Sequence, residues 1–286
     1  MPYLADNSGL PGPRGNLSLV AACGEEADRA RAEQLVGSGD EFATVCGLVA
    51  LGRLLGEGDD HHVQVLHAHA SDDRWRVREG VAMAVQRAAD HDPERAFTLA
   101  EEWAIDPDPL VRRAAIAAVC EPRLVRDPVF ARRALAMLGR VTSDLAHMPA
   151  EQRRAPSTRT LRQTLGYGWS VVVASLPKEG MPVFVQLERD TDPDVMWIVR
   201  ENRKKNRLKA IVRRVTHDSP DRTSHAVKIG PGDRPGGLPV RVRCSERGLG
   251  RCRDPTFGRD LVAVRERPRT DLRGGRGGTS KRAGDR

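Results

Sequence analysis

Four histidines crowd into nine residues of this chain: His61, His62, His67 and His69. Imidazole at such density suits a transition-metal ion, but ligands on one helix must stand three or four residues apart to share a face. His62 and His69 are two turns apart, and His67 and His69 face different ways. No Cys-x2-Cys joins them. The expectation is a solvated or half-buried histidine face and no metal. The other groups able to do chemistry are large rings and cations: Trp75, Trp103, Trp169 and Trp197, with the run Arg203, Lys204 and Lys205. Glu79, Glu101, Glu102 and Glu201 stand apart, without a partner at catalytic spacing. The chain has no Gly-rich phosphate loop, no Gly-x-Ser-x-Gly and no His-Glu-x2-His. No catalytic residue and no cofactor is therefore assigned.

The elements that must position these groups repeat. Asp72 is followed after four residues by Val77-Arg78, Asp106 by Val111-Arg112, and Asp194 by Val199-Arg200. Trp75 and Trp197 each stand two places before the valine, giving Trp-x-Val-Arg-Glu twice. An Asp in a turn can accept backbone N–H groups at the start of the next helix. The valine then points inward, and the arginine can reach an acidic turn group in its own or the adjacent unit. Asp72, Arg78, Asp106, Arg112, Asp194 and Arg200 are thus expected to form a ladder that ties successive turns together. Around this motif the pattern predicts about ten helices. Asn16 caps one, residues 41–55 form an apolar one, and Asp59 or Asp60 caps one through Ala70. Asp92-Pro93, Asp127-Pro128 and Asp192-Pro193 each place Asp at a cap and Pro at the first helical position. Residues 149–156 read as a polar connection. No strand pattern precedes residue 210.

Asp-x4-Val-Arg followed by small apolar residues resembles the second helix of HEAT repeats, most closely in Pro109-Leu-Val-Arg-Arg-Ala-Ala-Ile-Ala-Ala. Residues 40–208 resemble bacterial HEAT-repeat proteins with no assigned activity. The resemblance implies an all-α fold, an α-solenoid of HEAT-like helical hairpins over residues 16–208, whose pairs stack and share one core. A more distant similarity is to HEAT-like DNA glycosylases that excise alkylated bases from a Trp-lined cleft. It implies a groove lined by Trp75, Trp103, Trp169 and Trp197, with Asp106 nearby and Arg200, Arg203, Lys204 and Lys205 on phosphates. Packing between helices is the competing expectation for the tryptophans.

Charge separates the chain into two parts. Residues 210–286 hold 19 of the 47 Lys and Arg and 9 of the 39 Asp and Glu, leaving 28 basic against 30 acidic in residues 1–209. The footprint expected of a nucleic-acid binder is thus confined to the tail and the 200–209 cluster. With 12 Gly and 6 Pro, residues 209–286 read as disordered: an Arg/Gly-rich polyanion binder, or an aberrant extension. Residues 1–15 read as a flexible N-terminus. Five scattered cysteines suit reduced thiols. Neither a secretion signal nor an apolar run long enough for a membrane span is evident, so a cytoplasmic location is expected. The expected function is a non-catalytic scaffold with a protein partner on its concave surface, the alternative being a DNA-binding repair protein.

Overall fold

The computed structural model describes residues 2–12 and 15–217, with side chains as far as residue 211. Every regular element among them is helical. The chain runs through α1 (Pro2–Asn7), α2 (Leu17–Glu26), α3 (Arg29–Val36), α4 (Glu41–Gly56), α5 (Val63–His69), α6 (Trp75–His91) and α7 (Pro93–Trp103). It continues through α8 (Pro109–Val119), α9 (Pro128–His147), α10 (Ala150–Arg154), α11 (Pro156–Ser175), α12 (Pro177–Leu187), α13 (Pro193–Arg203) and α14 (Asn206–His217). Two 3-10 turns, Asp60–His62 and Leu124–Arg126, complete the order. None of these helices is long and apolar enough to cross a membrane.

Aspartates cap six of the fourteen α-helices among the described residues. Each accepts an orphan N–H that the first turn cannot satisfy internally. Asp28 accepts from Arg31 N at 2.8 Å, Asp40 from Ala43 N at 2.8 Å and Asp92 from Arg95 N at 3.0 Å. Asp127 and Asp192 do the same for α9 and α13, each with proline at the first helical position, where no N–H is needed.

Helix α4 is apolar all round, as a helix surrounded by protein should be. Every residue from Phe42 to Gly52 is buried, and the helix packs on α2, α3 and α6. Its glycines explain how close α6 comes. A Cβ at Gly52 would lie 2.1 Å from Ala84 O, and one at Gly56 would lie 2.5 Å from Ala88 O. From α4 the longest-range packing passes to α6, then α8, α11 and α13, each of these helices lying on the next. Leu48, Leu51, Ile116, Leu161 and Leu165 are fully buried along this row, as are Leu66 of α5 and Leu138 of α9. Each such side chain contributes about 1.5–3 kcal/mol relative to exposure.

The ends of the helical region differ from expectation. Residues 2–7 form α1 rather than coil, because the segment is held down: Asn16 Nδ2 donates to Asn7 O at 3.0 Å, and Ser8 is buried. The polar connection at 149–156 contains α10 and the first residue of α11. Helix α14 continues past the expected boundary at 208, anchored by the buried Leu208. The disorder expected beyond residue 217 concerns residues outside those described.

Candidate functional site

The aspartate–arginine ladder is the first candidate site. At the start of α6, Asp72 Oδ1 accepts from Arg74 N at 2.8 Å, and Arg74 Nη2 sits 2.8 Å from Asp72 Oδ2. The hydrogen bonds from Arg74 outweigh partial burial and hold the Asp72 carboxyl below its usual range. Arg78 does not touch this carboxylate. Its Nη1 donates to the backbone carbonyls of Asp72 at 2.5 Å and Asp73 at 2.9 Å. The α8 start is built alike. Asp106 Oδ1 accepts from Asp108 N at 2.7 Å, and Arg112 Nε donates to Asp106 O. Arg112 also stands 3.8 Å from Asp144 of α9. In both turns the arginine is the fourth residue of its helix and ties down turn carbonyls.

The third motif is out of register. Asp72 and Asp106 stand three residues before the first helical residue, whereas Asp194 lies inside α13, one place after Pro193. The residue that repeats their geometry is Asp190, whose Oδ1 accepts from Asp192 N at 2.8 Å. Met196 then occupies the arginine's position, and Arg200 lies one turn further on. Arg200 does not meet Asp194. Its side chain is 66 % exposed, and its nearest acid is Glu201 at 4.0 Å. Arginines from the preceding helices serve this turn instead. Arg153 donates to Asp192, and to Met148 O at 2.8 Å, while Arg162 of α11 donates to the buried Asp194. Burial works against the Asp192 charge, but Arg153 and two backbone N–H groups outweigh it and lower its pKa.

The four tryptophans do not share a groove. Trp103 and Trp169 are buried in the core, Trp103 edge-on to His67 and Trp169 donating through Nε1 to Thr142 Oγ1 at 3.1 Å. Trp197 is half-buried against Gly166, with the Arg162 guanidinium 4.8 Å from its ring. Only Trp75 is open, 52 % exposed, with Arg76 stacked at 4.6 Å. Trp75 begins its helix and Trp197 is the fifth residue of its own, so the shared Trp-x-Val-Arg-Glu string occupies two structural registers.

No family model, curated protein or solved structure matches this chain. The residues alone must therefore carry a functional reading.

Two cations of the 200–209 cluster are already paired. Arg203 Nε donates to Glu188 Oε1 at 2.6 Å, and Lys204 Nζ to Glu201 Oε1 at 2.6 Å. Lys205 stands over the Tyr167 ring at 5.8 Å. The histidines disperse to separate partners. His61 meets Asp59, His62 meets Glu33, His67 meets Asp106 and His69 bonds Val65 O. Among the described residues no group of three His, Cys, Asp or Glu could hold a metal ion. Cys23, Cys46 and Cys120 are free thiols. A shallow surface depression is lined by Arg29, Glu57, Gly58, Asp59, Asp60 and His61, and its charges pair with one another, as in Arg29–Asp59 at 2.7 Å.

Sequence reasoning missed the residues that join neighbouring helices. Buried Arg113 of α8 donates to Arg78 O at 3.1 Å and to Glu79. Gln86 of α6 donates to Ala117 O at 3.1 Å. Asn202 of α13, fully buried, accepts from Ser170 N at 2.8 Å and donates to Leu165 O at 2.9 Å. The available signal was polarity on an apolar face: Asn202 follows Ile198 by four residues and so shares its inward side.

Proposed function

We propose that this chain is a HEAT-like helical-repeat scaffold, an α-solenoid that acts in the cytoplasm by holding a protein partner. The observation that carries the reading is the recurrence of polar contacts between neighbouring helices of the row. Arg113 ties α8 to α6 and Asn202 ties α13 to α11, in the way stacked repeats bury faces that no single pair could cover. Such a row offers an extended surface for a partner.

Within that surface the anchor is Trp75 with Arg76. Tryptophan and arginine dominate the energetics of protein interfaces, because a large ring buries much area at little entropic cost. Here the ring is already held by the stacked guanidinium, which is itself fixed by Glu41 at 3.2 Å and by Gly12 O at 3.1 Å. A photoreactive amino acid at position 75 of the full-length protein tests the proposal in its native cells. A discrete protein adduct is expected at position 75, and none when the same group replaces exposed Val185. Equal adducts at both positions, or none at either, would refute the anchor.

A further inference from the structure

Many arginines of the helical body pair with its own carboxylates and carbonyls. Arg132 pairs with Glu179, Arg133 with Glu101 and Glu94, Arg203 with Glu188. The described cations at the start of α14 differ. Its sequence carries Arg207, Lys209, Arg213 and Arg214 and no acidic residue. Among the described residues, no carboxylate lies within ion-pair distance of Lys205, Arg207 or Lys209. Arg207 and Lys205 are instead placed by one ring. Arg207 Nη2 donates to Tyr167 Oη at 2.9 Å, its guanidinium stands 4.9 Å from the ring centre, and Lys205 approaches the same ring. A ring fixes a cation in space without neutralising it.

The helix dipole does not account for these charges. Basic groups favour the C-terminal end of a helix, where the dipole is negative, and that explains Arg203 and Lys204 in α13. Arg207 and Lys209 stand in the first turns of α14, at the positive end, where the dipole opposes them. Leu208 is buried and Ile211 packs on the core, while Lys209, beside Leu208 in the sequence, is exposed and Arg207 and Lys205 are half-buried. The sequence then continues basic, with 19 Lys and Arg against 9 Asp and Glu in residues 210–286.

We infer that Lys205, Arg207 and Lys209 form a binding face for the phosphate backbone of nucleic acid, read by charge and spacing and not by base identity. Backbone contacts of this kind release counterions, so binding weakens steeply with salt. This function is independent of the protein-scaffold reading, since it uses neither Trp75 nor the row of stacked helices.

The test is fluorescence anisotropy of the full-length protein with a short mixed-sequence DNA duplex across a salt series. It compares wild type with Lys205→Gln/Arg207→Gln/Lys209→Gln. The variant is expected to lose at least about tenfold in affinity near 0.1 M salt, and its log–log salt slope to fall by about 0.9 for each phosphate contact removed. A control, Arg31→Gln/Arg95→Gln/Arg132→Gln, removes the same charge elsewhere and is expected to bind like wild type. Lys209→Glu, at an exposed position, repeats the test should loss of the Tyr167 contacts unfold the triple variant; it is expected to weaken binding in the same direction. Wild-type affinity in both variants would overturn the inference, as would equal loss in the control. Tighter retention of anionic vesicles or of an acidic protein than of the duplex would also overturn it, by giving the face a different ligand.

Discussion

Alanine substitution at the three motif arginines separates the string of letters from the structure. Arg78 makes two charged hydrogen bonds to turn carbonyls, at 2.5 and 2.9 Å, and is half-buried. A hydrogen bond to a charged group contributes about 1.5–3 kcal/mol when buried, and solvent reduces that at a partly open site. The pair is then worth about 2 kcal/mol in total. Arg112, with its side chain only 14 % exposed, bonds Asp106 O and faces Asp144, and belongs in the same range. Arg200 bonds nothing comparable, so its removal should change stability by less than about 0.5 kcal/mol. In a helical body of this size about 2 kcal/mol corresponds to a fall in Tm of roughly 4–8 °C. Thermal unfolding followed by circular dichroism at 222 nm, with urea midpoints as a second measure, therefore predicts two destabilised variants and one unchanged. A loss for Arg200→Ala equal to that for Arg78→Ala would refute the reasoning that helix register, and not motif spacing, assigns the role.

Three further outcomes follow from the packing and the charges. Gly52→Ala places a methyl 2.1 Å from the Ala84 carbonyl and should cost several times more than Gly39→Ala, where no atom lies within 4 Å but φ is positive; urea midpoints compare them. Asn202→Ala removes the partner of Ser170 N and the link to Leu165 O, and is expected to cost about 2–4 kcal/mol. An unchanged midpoint would show the link to be idle. Arg74 holds Asp72, and Arg133 holds Glu101, below the ordinary carboxylate range. A lowered folded pKa supplies stability above the unfolded value that is lost as pH falls through the folded one, so urea midpoints should decline below roughly pH 4. Arg133→Gln should flatten that decline, and an unaltered pH profile would exclude Glu101 as a contributor.

Most helix starts were legible because their cause is local. Asp-Pro at 92–93, 127–128 and 192–193 carries its own cap and its own fixed φ, and needs no distant partner. The apolar run 41–55 likewise announces a helix wrapped by protein. The motif arginines share one helix register only in the first two turns, and there they bind turn carbonyls instead of the expected motif carboxylates. Asp-x4-Val-Arg matches at 194–200 by letter, but the cap at Asp192 starts the helix earlier and moves Arg200 a full turn away from the carbonyls it would bind. A better marker stood beside it. Asp-x-Asp-Pro occurs at both 106–109 and 190–193 and gives the same turn hydrogen bond in each. The tryptophans illustrate the limit of residue type. Trp75 is open and Trp103 is buried, a difference set by the neighbours that pack on each and not by residue type. The histidines' partners Glu33 and Asp106 come from elements that local pattern does not pair.

Polar links between helices of the row reach back by similar distances along the chain: 35 residues from Arg76 to Glu41, 35 from Arg113 to Arg78, 31 from Ala117 to Gln86 and 37 from Asn202 to Leu165. A polypeptide leaving the ribosome therefore never waits long for its next partner. Once α4 has met α2, α3 and α6, each later segment needs only what emerged just before it, and loop closure stays short and cheap. Synthesis itself can lay the row down course by course, with the newest helix always docking on a wall already built.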